Sequence, residues 1–78
     1  MNIADFISKF SAEFDDTDAS EFSAETKFKN LEEWSSITAL SIIAMADNDY
    51  GIELTGEDIR NSETIKDLFD IINKKVNA

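Results

Sequence analysis

The sequence predicts an all-α fold, a four-helix bundle of three longer helices and one short one with a long first connection. Three observations predict it. Apolar residues recur at helical spacing near both ends of the chain. A run rich in Ala, Leu and Met fills its middle, and capping signals punctuate the last third of the chain. The 78 residues read as one small domain, 1–78, with no repeats and no linker to a second. Apolar residues at 42% are enough for a thin core and argue against global disorder. With no cysteine there is no disulfide, so helix packing must hold the core.

The first helix follows from Ile3, Phe6, Ile7, Phe10 and Phe14, which stand at i, i+3, i+4, i+7 and i+11. This spacing predicts an amphipathic helix over Asn2 to Phe14. Asp15-Asp16-Thr17-Asp18 ends the pattern. From Asp15 to Ser35 no period is sustained, and a connection this long is unusual in a small domain. Phe22, Phe28 and Leu31 are expected to pin it across the bundle, with a short turn near Lys27 to Leu31. Asp16, Asp18 and Ser20 imitate the first ligands of a calcium loop. However, Glu21 stands where glycine is needed and Lys27 where the closing glutamate belongs. The acids are expected to end the helix and keep the loop solvated.

The second helix is predicted over Ser36 to Tyr50, where Ile37, Ala39, Leu40, Ile42, Ile43, Ala44, Met45 and Ala46 are broken only by Thr38 and Ser41. Gly51 supplies a left-handed stop. A helix apolar on nearly all sides is central or meets a partner on its outer side. Ile37 and Met45 are candidates for either role. Ile52-Glu53-Leu54 reads as an extended link. Thr55-Gly56-Glu57-Asp58 resembles a capping box opening a short helix through Asn61. Thr64-Ile65-Lys66-Asp67 is a second such start, and Ile65, Leu68, Phe69 and Ile72 form the stripe of the last helix. Lys74 and Lys75 fall in its final turn, where cations suit the helix dipole. Tyr50 and Phe69 are core candidates. Trp34, just before the second helix, reads first as a packing staple and second as a contact for a partner.

Seventeen acids against seven bases give a net charge of -10, which argues against nucleic acid and anionic membrane surfaces. No Lys or Arg occurs from Asn30 to Ile59, while Glu32, Glu33, Asp47, Asp49, Glu53, Glu57 and Asp58 lie there. Such a field favours basic partners. A solvated surface that aids solubility accounts for the same charges equally well. The N-terminus lacks the pattern of a signal peptide, and no apolar run approaches a membrane span. The expectation is a cytoplasmic monomer.

A nucleophilic serine needs a nearby base, and the chain has no histidine. Paired carboxylates need a walled cleft, which so small a domain hardly provides. Without Cys or His the two commonest zinc ligands are missing. The expectation is therefore no intrinsic catalysis and no metal. What remains is the seam Ser35-Ser36. Serine is a preferred N-cap, and Ser35 fits that role. Ser36 then lies in the first turn with its hydroxyl toward solvent. There an anionic phosphodiester would meet the positive end of the helix. By spacing alone a Ser-Ser pair before a helix usually just caps.

Taken in order, these residues resemble the acyl carrier protein family. Within Trp34-Ser35-Ser36-Ile37, the segment Ser35-Ser36-Ile37 is similar to the family's Asp-Ser-Leu attachment motif. Asp49-Tyr50-Gly51-Ile52-Glu53-Leu54 is similar to its acid-aromatic-Gly-Ile-Glu-Ile stretch, and Thr64-Ile65 with Asp67-Leu68 to the start of its last helix. The spacing from Ser36 to Gly51 fits without a gap. The resemblance implies an acyl-carrier-like bundle whose Ser36 receives a 4'-phosphopantetheine arm from coenzyme A through a separate phosphopantetheinyl transferase. Ser35 would be the cap and the alternative attachment point. The arm's thiol would carry acyl intermediates as thioesters for fatty-acid, polyketide or related specialised biosynthesis. The partners it implies are acyl-transferring and chain-extending enzymes with basic docking surfaces, meeting Ile37, Thr38, Ser41, Met45 and Asp47. An aminoacyl or peptidyl carrier is the alternative cargo class, and an unmodified protein-binding module on the same bundle is the rival.

Two positions depart from the family pattern. Ser35 replaces the family Asp, which still caps the helix but removes a carboxylate that a transferase could read. Thr38 and Ser41 stand where acids are common, so the outer side of the helix is more neutral. Enzymes that dock through Arg and Lys should bind it more weakly, as rim charges mainly set steering and partner choice. The departures fit a carrier dedicated to one pathway.

Overall fold

All six phenylalanines of the chain are buried, none more than 9% exposed, and they draw the helices and the long connection into one core. The computed structural model describes residues 2–78. These form four helices, α1 (Ile3–Ser11), α2 (Ser36–Tyr50), α3 (Gly56–Arg60) and α4 (Ile65–Val76). Two 3₁₀ turns, Ala19–Glu21 and Phe28–Asn30, lie between α1 and α2. There is no strand among the described residues.

Helix α1 is shorter than its apolar spacing predicts. Asn2 caps it from outside, its side chain accepting from the Ala4 amide at 2.7 Å. The α geometry ends at Ser11. Beyond it the amides of Glu13 and Phe14 donate to the carbonyls of Phe10 and Ser11 at 3.1 and 3.0 Å, three residues back. This tighter winding still delivers Phe14 to the core, 6% exposed. The spacing thus predicted the burial correctly and the helix end wrongly.

Phe22 and Phe28 pin the long connection as expected, and the turn expected near Lys27 to Leu31 is the 3₁₀ turn Phe28–Asn30. The turn Ala19–Glu21 was not foreseen. Asp18 caps it, accepting from the Ser20 amide at 2.9 Å. The connection also serves α4. The first four amides of any helix lack partners within it. Here Ile65 donates to the Thr26 carbonyl at 3.1 Å and Lys66 to the Ala24 carbonyl at 3.0 Å. Asp67 donates to the Thr64 hydroxyl and the Thr64 amide to the Asp67 carboxylate, each at 3.1 Å, so all four are satisfied.

Helix α2 buries Ile42, Met45 and Ala46, an i, i+3, i+4 face. Met45 is 6% exposed and belongs to the core, which corrects its assignment to a docking surface. Ile37 and Leu40 lie on the opposite side, 76% and 64% exposed. Gly51 closes the helix at φ 66°, a conformation that costs a side-chain-bearing residue energy.

Helices α3 and α4 both start with the expected capping boxes, Thr55 with Asp58 and Thr64 with Asp67. Lys75 near the end of α4 reaches back to the Asp58 carboxylate at 2.7 Å and the Glu53 carbonyl at 2.8 Å, tying α4 to the start of α3. The other end of α3 is held by Lys29, whose ammonium donates to the carbonyls of Ile59 and Arg60 at 3.3 and 3.1 Å. Buried Ser62 is satisfied by the Asp58 carbonyl at 2.9 Å. The radius of gyration is 11.3 Å, close to the roughly 11.5 Å expected of a packed chain this long. No described helix is long and apolar enough to cross a membrane.

Candidate functional site

The seam between the long connection and α2 is organised by Glu33. Its carboxylate accepts from the amides of Asp15 and Asp16 at 2.7 and 2.9 Å and from the Thr17 hydroxyl at 2.6 Å. The Thr17 hydrogen bond holds its carboxyl below the usual glutamate range; desolvation opposes it, and the amides of Asp16 and Asp15 add to the lowering. The Glu33 carbonyl in turn accepts from the Thr38 hydroxyl at 3.1 Å. Thr38, expected at a docking surface, is thus half-buried and spends its hydroxyl on the start of its own helix.

Ser35 is the N-cap of α2. Its hydroxyl accepts from the Thr38 amide at 3.3 Å and lies 3.2 Å from the Thr38 hydroxyl. Ser36 is the first residue of the helix, exposed, and its hydroxyl has no hydrogen-bond partner among the described residues. The amides of Ser36 and Ile37 likewise find no acceptor there, unlike the four satisfied amides of α4. Of the two serines, only Ser36 presents an uncommitted nucleophile, and it sits at an electropositive helix end.

A groove of about 460 Å³ opens beside this serine. Ala39 and Ile43 of α2 line it with Gly56 and Ile59 of α3, together with Trp34, Ser35 and Ser36. Trp34 is fixed by the aromatic core. Its ring stacks on Phe14 at 6.4 Å and meets the edge of Phe28 at 5.0 Å. It therefore packs against the tightened turn after α1 and the connection while also lining the groove.

Two bases also line the groove, Lys29 and Arg60. The run of residues without Lys or Arg from Asn30 to Ile59 suggested a serine with no cation near it. The fold corrects this, because Lys29 and Arg60 flank that run in sequence and meet across it in space. Ser41 is half-buried, and exposed Asp47 borders a second hollow of about 290 Å³ with Ile43, Ile52 and Leu54. Of the expected docking residues, Ile37 and Asp47 are exposed. Leu40, three residues from Ile37 and on its side of the helix, was missed although that spacing announces it. No described group of Asp and Glu is arranged to hold a metal ion.

Comparison with known proteins supplies no relative: no protein-family model, no curated protein and no solved structure matches the chain.

Proposed function

We propose that the chain is a phosphopantetheine-dependent carrier protein on an acyl-carrier-type bundle, with Ser36 as its attachment point. The observation that carries this reading is the exposed, unbonded Ser36 hydroxyl on the first turn of α2, beside an open groove. In the loading step, within a separate transferase, Ser36 Oγ attacks the phosphorus that bears the pantetheine arm of coenzyme A. An Oγ–P bond forms, the P–O bond to the adenosine half breaks, and adenosine 3',5'-bisphosphate leaves. The serine proton passes to a base of the transferase, and magnesium bound with coenzyme A neutralises the pyrophosphate. The arm supplies a thiol that carries acyl groups as thioesters, which this cysteine-free chain does not itself contain.

The chain's own residues do the positioning. Ser35 and Thr38 fix the first turn of α2, and the open amides of Ser36 and Ile37 favour a phosphodiester at that end. Acyl cargo fits this chain better than aminoacyl cargo, on the Gly51-Ile52-Glu53-Leu54 stretch and the strong acidity. The exposed pair Ile37 and Leu40, without an acid in the first turn of α2, makes the partner-facing side more apolar than charged. Those two side chains also favour a second reading, an unmodified protein-binding module.

Intact mass separates the two. Incubation with coenzyme A, magnesium and a broad-specificity transferase should add one phosphopantetheine to the wild-type chain and none to Ser36→Ala. No gain, where a control carrier is fully converted, would leave the unmodified module standing.

A further inference from the structure

Resting on the carrier reading, we propose that Arg60, assisted by Lys29, binds the phosphodiester of the arm. Arg60 is the only arginine of the chain and lines the same groove as Ser36. Its guanidinium lies back over Gly56, so close that a side chain there would touch it at 3.6 Å. The guanidinium thus lies along its own helix, at the wall of the groove.

In a chain of seventeen acids and seven bases, an arginine on a short helix would be expected to find a carboxylate. The ion pairs among the described residues are Lys66–Asp70 and Lys75–Asp58, and Arg60 is in neither. The groove that it lines has no carboxylate among its lining residues. Lys29 adds a second positive charge from another element, held in place by two carbonyls with one ammonium N–H to spare. A guanidinium fork matches the paired oxygens of a phosphate in geometry and charge.

The groove therefore suits an anionic oxygen group, which on a loaded carrier comes from the phosphodiester or from a carboxylate on the cargo. The phosphodiester is assigned because it is bonded to Ser36 itself, at the groove.

The test uses ¹⁵N-labelled full-length chain before and after loading. As the sole arginine, Arg60 gives one Nε–Hε signal that needs no assignment. We expect that signal to shift on conversion to the free-thiol form. Butyryl and succinyl cargo should add no further shift. The ³¹P signal of the phosphodiester should move in Arg60→Gln toward its position in free phosphopantetheine, while Arg60→Lys keeps part of the displacement. In 1 M salt, with a screening length of about 3 Å, the wild-type and Arg60→Gln ³¹P signals should converge. Arg60 is exposed, so Arg60→Gln should keep the helical circular dichroism of the wild type.

A mass gain with an unmoved arginine signal would overturn this inference alone, as would a shift that appears only with succinyl cargo. The absence of any mass gain would overturn the carrier reading with it.

Discussion

Ser35 and Ser36 are neighbours of one type with opposite fates. Ser35 turns its hydroxyl back onto Thr38, and Ser36 leaves its hydroxyl unbonded. Substitution should separate them. Ser35→Ala should lower stability by about 0.5–1 kcal/mol in urea unfolding, the lower part of the range for a lost cap because the 3.3 Å bond is long. It should still gain the arm. A Ser35→Ala chain that folds yet gains no mass, beside a Ser36→Ala chain that does, would move the attachment point by one residue. Both positions were legible in the sequence: the apolar run that follows the pair makes Ser35 the cap, and exposure of Ser36 follows from helix geometry.

The starts of α3 and α4 and the end of α2 carry their signals within a few residues, and those were readable. The capping boxes of α3 and α4 and the glycine after α2 act locally, so their positions did not depend on the rest of the fold. Gly51→Ala tests the last of these. A Cβ there would meet nothing within 4 Å, so the cost is backbone strain alone, about 1 kcal/mol in a denaturant melt, with Gly51→Asn less costly. What sequence left illegible depended on tertiary placement. The all-round apolar character of α2 could not say which side faces inward, so Met45 was left open between core and docking surface and Leu40 was overlooked. Phe14 continued the spacing of α1 although the backbone had already tightened. Arg60 and Lys29 stand 31 residues apart and meet only because the Lys29 ammonium holds the end of α3.

A net charge of -10 acts on the entire bundle, yet acid should unfold it rather than relieve it. Four carboxyls sit below their usual values in the folded chain. Asp18, Glu33 and Asp67 are lowered chiefly by hydrogen bonds from Ser20, Thr17 and the Thr64 amide. In Asp58 burial pushes upward, but the hydrogen bonds from Lys75 and Thr55 outweigh it. A lowered folded value stabilises above the unfolded value and is lost as pH falls through the folded one. These contributions are therefore intact at pH 7 and fade below about pH 4. Relief of self-repulsion is complete by the isoelectric point near 4.1, and below it positive charge accumulates. Both effects then oppose folding. Thermal melts should show little loss from pH 7 to 5 and a steep fall in Tm below about 4. A Tm that keeps rising through pH 3 would contradict this expectation.

The hydrogen bonds from Ile65 and Lys66 to the carbonyls of Thr26 and Ala24 make the span between α1 and α2 more than slack. It is the lintel over the doorway of the last helix. An engineer who trimmed this span to shrink the protein would leave two amides of a distant segment bare. The damage would surface in α4, far along the chain from the cut.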